Sequence, residues 1–232
     1  PQQQQAATPD ELLRRCHALL IAPFAAVLAG ERRLIIVPDR DLYALPFAAL
    51  IDADGKHLIE THALQVAPSA GTLIELEQRV AARPTADPGS KPKALVVGDP
   101  FFHGWASQLS GARAEADEGY QKLRGQHDVT YLSHDEATKP AVVQAIGESE
   151  CVHLATHGAP DGVFLSAPTA TEGKLSMAEV QSLQLASAKL VVLSECDSFK
   201  GELRADGVVG IARAFVGAGT PTLLATLWKV DD

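Results

Sequence analysis

The sequence predicts an α/β fold: a mostly parallel central sheet with helices on both faces, preceded by a smaller α/β N-terminal subdomain. Two observations predict it. Beyond residue 93, short apolar runs alternate with stretches of helical period, the pattern of a parallel sheet whose crossovers are helices. Before that point the pattern is less regular, and a segment carrying Pro84, Pro88, Gly89 and Pro92 separates the two regimes. An N-terminal subdomain over 1–90 and a second subdomain over 91–232 follow.

The first element reads as a helix. Thr8 supplies an N-cap, Pro9 a favoured first-turn proline and Glu11 the capping-box acid, and Leu12, Cys16, Leu19 and Leu20 recur at helical spacing. Cys16 on that face is a core position. Arg33 to Val37 reads as a strand, Asp39-Arg40-Asp41 as the turn after it, Leu58 to Val66 as a further strand and Thr72 to Ala82 as a helix. Arg83 to Lys93 is the linker. After it come strand Ala94 to Gly98, helix Ala112 to Arg124, strand Val129 to Leu132 and helix Pro140 to Ile146. Strand Cys151 to Thr156 follows, then a short helix after the Ser176/Glu179 capping box, strand Leu190 to Ser194, helix Ala205 to Ala218 and strand Thr222 to Trp228. In the last helix Val208, Ile211, Ala212 and Phe215 share a face, and Gly219 before Pro221 is its stop.

Composition narrows the function. Of 232 residues, 46% are hydrophobic and 21% charged, enough to bury a core. A net charge of -9 repels phosphate backbones and anionic membranes, so neither nucleic acid nor membrane is an expected partner. The sequence shows neither a membrane-length apolar run nor a signal-peptide pattern, and a soluble cytoplasmic protein is expected. Both ends look cut, as in a piece of a longer chain. Three widely spaced cysteines, Cys16, Cys151 and Cys196, make neither a disulfide framework nor a zinc knuckle. No cofactor is expected: Gly98-Asp99-Pro100-Phe101-Phe102-His103 lacks the glycine spacing of a dinucleotide site.

In an open parallel sheet, ligands bind beyond the carboxyl ends of the strands. Three loops qualify: Gly98-Asp99-Pro100, His157-Gly158 and Glu195-Cys196-Asp197. A thiol is mostly protonated at neutral pH and needs a neighbouring imidazole to become a nucleophile. His157 and Cys196 end two runs separated by one crossover, so adjacent strands would bring them to the same edge. Gly158 lets a backbone N–H approach a reacting carbonyl oxygen, and the N–H groups of Gly158 and Cys196 would form an oxyanion hole. The plainer alternatives stand beside this: a cysteine at a strand end also serves as core, and Thr156-His157-Gly158 also reads as a turn. A metal site shared by His153 and His157 is disfavoured, because four strand residues separate them by about 13 Å. Cys151, opening an apolar strand, reads as buried and inert.

Five blocks carry a family resemblance. They are Leu34-Ile35-Ile36-Val37-Pro38-Asp39 with Leu42 to Leu50; Leu58-Ile59-Glu60 to Ala67-Pro68-Ser69; Val152-His153-Leu154-Ala155-Thr156-His157-Gly158; Val191-Val192-Leu193-Ser194-Glu195-Cys196; and Gly207 to Phe215 running on to Ala225 to Asp232. In this order they resemble the CHAT domain, a caspase-like module found with TPR repeats and related to the separase protease domain. The resemblance implies a caspase-type fold and a cysteine endopeptidase in which His157 is the general base and Cys196 the nucleophile. It also implies a protein or peptide substrate, a basic P1 side chain met by Asp231 or Asp232, and regulation by TPR or other segments of a longer protein. An acid at a cleft mouth suits a guanidinium, although a solvated acidic loop explains the same residues. Two departures mark the nucleophile block, where Glu195 and Asp197 flank the thiol and would raise its pKa if close to it. They favour the alternative, a catalytically silent domain that serves as an interaction or regulatory module. The stretch from Ala159 to Gly173 reads as a loop suited to substrate binding or activation.

Overall fold

The computed structural model describes residues 7–83, 89–194, 202–204 and 207–226. The chain divides into two units, one comprising residues 1–70 with 205–207 and the other 71–204 with 208–232.

In the first unit, α1 (Pro9–Leu20) is closed by the expected box: the Thr8 hydroxyl accepts from the Glu11 N–H and the Glu11 carboxylate accepts from the Thr8 N–H. After α2 (Ala25–Leu28) the chain enters β1 (Arg33–Ile36). The predicted strand from Leu58 divides in two. Glu60 caps the N–H of His57 at 2.6 Å and winds Leu58 to Thr61 into one turn, α3, before β2 (Ala63–Val66) pairs in parallel with β1. Leu34, Phe47, Leu50 and Leu58 form this unit's core, with Leu13, Cys16 and Leu20 packed on it, so Cys16 is a core position as expected.

From its second residue on, α4 (Ala70–Ala81) belongs to the second unit, which continues β3 (Lys93–Pro100), α5 (Ser110–Leu123), β4 (Asp128–His134), α6 (Lys139–Ile146) and β5 (Cys151–Ala155). Then come β6 (Gly158–Ala159), β7 (Gly162–Phe164), α7 (Ala170–Gly173), β8 (Lys174–Ser176), α8 (Met177–Ser182) and β9 (Leu190–Ser194). The elements β10 (Glu202–Arg204), β11 (Gly207–Val209), α9 (Ile211–Gly217) and β12 (Leu223–Ala225) close the series. Five strands form one parallel sheet in the order β12-β9-β5-β3-β4, the mostly parallel sheet predicted.

Strand alternation sorts its two faces. Leu95, Val97, Val152, Leu154, Val191 and Leu193 point into one core, where Val142 and Ile146 of α6, Val180 of α8, and Ile211 and Phe215 of α9 meet them. On the other face α5 lies over β3. Its seat is Gly98, where a Cβ would collide with the Ala116 methyl.

Two further expectations differ from the structure. Ala159 to Gly173 is more than a loop: β7 lies within it and pairs antiparallel with β6 and with β8 just beyond it, α7 closes it, and the full burial of Val163 and Leu165 draws the segment onto the core. The last helix begins at Ile211, and Gly207–Val209 is extended instead, paired with β10. Residues 205 and 206 of the predicted helix, and residues 227 and 228 of the final predicted strand, lie outside the described residues.

Candidate active site

The parallel register sets Ala155 at the end of β5 opposite Ser194 at the end of β9. β5 and β9 therefore end side by side at one sheet edge. The Thr156 N–H donates to the Ser194 carbonyl at 3.3 Å, and the Thr156 hydroxyl donates to the Phe164 carbonyl. His157 follows Thr156 directly and is half-buried.

A second loop holds the imidazole. Beyond β3, Asp99 takes a left-handed conformation at φ 45°, which aspartate tolerates better than most residues, and its carboxylate turns back on its own loop. That carboxylate accepts from the Leu109 N–H at 2.7 Å and the Gln108 side-chain amide at 3.0 Å. Gln108 in turn accepts from the Phe102 N–H at 3.1 Å. Asp99 is only 7% exposed, and the exposed Gln108 closes the clasp over it from the surface. Phe102, fully buried, lays its ring 4.9 Å from the His157 ring and 5.1 Å from Trp105. Trp105 donates through its indole N–H to the Ala167 carbonyl, so the loop is bound to the segment after β7 as well.

From this loop the Ser107 carbonyl meets His157 Nε2 at 2.8 Å. A carbonyl only accepts, so Nε2 carries the proton and, in the neutral ring, the lone pair is on Nδ1. The loop after β3, whose one sequence signal is its position at a strand end, thus sets the tautomer of the histidine.

Gly158 pairs with Val163 across β6 and β7. The Phe164 N–H donates to the His157 carbonyl at 2.9 Å, which makes His157/Phe164 a hydrogen-bonded pair and Gly158/Val163 a non-hydrogen-bonded one. In such a pair the N–H points away from the partner strand, and that is the direction of the Gly158 N–H.

Behind this edge, on the face covered by α5, Ser194 donates from its hydroxyl to Glu115 Oε2 at 2.8 Å. Glu115 Oε1 stands 3.1 Å from His153 Nε2 without a well-aligned hydrogen bond. Burial pulls the His153 pKa below its ordinary value, and the Glu115 carboxylate acts against that pull. Burial also pushes up the Cys151 thiol.

Of the residues singled out from sequence, His157 and Gly158 are described and adjacent. Cys196, Glu195, Asp197, Asp231 and Asp232 lie outside the described residues. Among the described residues no group of three metal-ligating side chains gathers, and no helix is long and apolar enough to cross a membrane. Ser107, Gln108, Phe102 and Glu115 were not anticipated. Asp99-Pro100 at a strand end was the only sequence signal near them.

Comparison with known proteins adds the lineage. The family model of the CHAT domain matches residues 10–232. Tetratricopeptide repeat protein 28 of Homo sapiens is 28% identical over 278 aligned residues, covering 98% of this chain and 11% of that protein. Its namesake in Mus musculus is 29% identical over 269 residues, covering 94% of this chain and again 11% of the relative. The chain thus spans about a tenth of the length of these curated relatives. Among solved structures, a Geobacter sulfurreducens protein is 24% identical, with a TM-score of 0.36 over 46% of this chain and 50% of its own.

Proposed function

The chain belongs to the CHAT domain family, and from that premise we propose that it is a cysteine endopeptidase acting through His157 and Cys196. The observation that carries the reading is the Ser107 carbonyl on His157 Nε2, which leaves Nδ1 as the basic nitrogen at the sheet edge where β5 and β9 end. Cys196 follows Ser194 by two residues, a reach of about 7 Å of extended chain.

His157 Nδ1 takes the Cys196 proton, and the thiolate attacks the carbonyl carbon of a peptide. The N–H of Gly158, directed away from β7, and the N–H of Cys196 receive the developing oxyanion. The imidazolium gives its proton to the departing amine, and a water, deprotonated by His157, hydrolyses the thioester. Asp231 and Asp232 are the substrate-pocket residues for a basic P1 side chain. The relatives are named for tetratricopeptide repeats, and repeat segments of the full-length protein are the regulatory partners in this reading. A reducing cytoplasm is the setting that suits a free catalytic thiol. A second reading, a silent domain that binds partners, is favoured by Glu195 and Asp197, which flank Cys196.

Incubating the full-length protein with candidate protein partners and following fragments by mass spectrometry tests the choice. Cleavage that disappears in both Cys196→Ala and His157→Ala supports the endopeptidase. Cleavage that survives Cys196→Ala removes it, and partner capture that is unchanged in both variants without any cleavage favours the silent module.

A further inference from the structure

We propose that Glu115 is a positioning residue for the nucleophile, a role that rests on the endopeptidase reading above. Its two carboxylate oxygens serve two strands. Oε2 accepts from the hydroxyl of Ser194, the last residue of β9 and two before Cys196; Oε1 stands beside Nε2 of His153 on β5, four residues before His157. One side chain on α5 thereby hydrogen-bonds the strand that leads to the thiol and lies beside the strand that leads to the base.

The height of that side chain over the sheet is itself fixed. Gly98 of β3 admits Ala112 and Ala116 of α5 at close range, and Glu115 belongs to the same helical turn. The groups around His153 make Glu115 the natural partner. In the sheet its neighbours in register are Val96 and Val192, both apolar, and the titratable residue next on its own face of β5 is Cys151. The Glu115 carboxylate, 44% exposed, reaches over this apolar surface to a histidine that is 16% exposed. The Ser194 carbonyl also receives the Thr156 N–H, so Ser194 is secured on its main chain by β5 and on its side chain by α5. The proposed nucleophile is two residues further along the chain, which makes Ser194 the last fixed point before it. In catalysis by approach and orientation, small displacements at the reacting atoms translate into large losses of rate.

The experiment is a double-mutant cycle on the full-length protein, read by the alkylation rate of Cys196 with iodoacetamide and by kcat and KM for a cleaved peptide. Glu115→Ala and Ser194→Ala should each lower the alkylation rate and kcat by about 10-fold with KM little changed. The double variant should be no slower than either single one, because both remove the same tie. Glu115→Gln, which keeps an acceptor for the Ser194 hydroxyl, should retain most of the rate, whereas a role confined to stability would lower the melting temperature and leave the alkylation rate of the folded protein unchanged. Single variants that react as fast as the unaltered protein, additive losses in the double variant, or a Glu115→Gln protein as slow as Glu115→Ala would each overturn the positioning role while leaving the dyad intact. An unreactive Cys196 in the unaltered protein would overturn the endopeptidase reading, and this role with it.

Discussion

His157 owes its tautomer to a carbonyl 50 residues away in sequence, and Ser194 owes its side-chain tie to a carboxylate 79 residues away. Such pairings carry no local signature. His157 and Gly158 could be read from the sequence because they end an apolar strand run, where ligand-facing loops begin. Ser107, Gln108 and Glu115 could not, since nothing in their immediate neighbours announces which strand end they will meet. Two predictions belong at this scale. Nitrogen NMR of the neutral His157 ring should show the proton on Nε2; a proton on Nδ1 would contradict the Ser107 contact. Gln108→Ala removes the links to Asp99 and to the Phe102 N–H. It should cost about 1 kcal/mol in urea unfolding, since the Asp99 carboxylate keeps the Leu109 N–H and water can replace the exposed amide, and lower kcat/KM by about 10-fold as the Ser107 carbonyl loses its place.

At the scale of elements, the seat of α5 and the cap of α8 make separate predictions. A methyl at Gly98 would press on Ala116 and lift the helix, so Gly98→Ala should destabilise by about 1 to 3 kcal/mol in chemical unfolding despite the ordinary gain from replacing a strand glycine. At α8, the Ser176 N–H and hydroxyl both donate to the Glu179 carboxylate, and Lys139 pairs with it at 3.0 Å. The Ser176 backbone bond is the largest cause that lowers the Glu179 pKa from 4.5 to about 2. A carboxyl whose folded pKa lies below its unfolded one stabilises the fold above the unfolded value, and the contribution fades as pH falls through the folded value. The melting temperature should therefore drop between pH 4.5 and pH 2 more steeply in the unaltered protein than in Glu179→Gln. Equal slopes would remove Glu179 from the acid response.

The same scale shows what periodicity can and cannot settle. The capping boxes at Thr8 and Ser176 were legible because the box is a four-residue pattern with its own hydrogen bonds. The box at His57 was hidden, since histidine is not a usual cap, and an apolar β-branched run read as one strand became a helical turn and a strand. Proline and glycine in Ala159 to Gly173 suggested a loop, yet with Val163 and Leu165 fully buried the segment holds β7 and α7. Composition describes a segment's freedom; the core decides whether it keeps that freedom.

For the whole molecule, alternation of apolar runs with helical periods foretold a parallel sheet, and the structure supplies the order that sequence spacing alone leaves open: β5 beside β9, with β3 on its other side. That adjacency places the exits of the His157 and Cys196 strands at one edge. The central claim concerns Cys196, and its most direct test is the pH dependence of alkylation at all three cysteines in the unaltered protein and in His157→Ala. Cys151, its thiol pushed up by burial, should react slowly at neutral pH. The account predicts that Cys196 is alkylated well ahead of Cys151 and Cys16 at pH 7, and that His157→Ala slows Cys196 alone; labelling of Cys16 or Cys151 ahead of Cys196, or a Cys196 rate indifferent to His157, would contradict it.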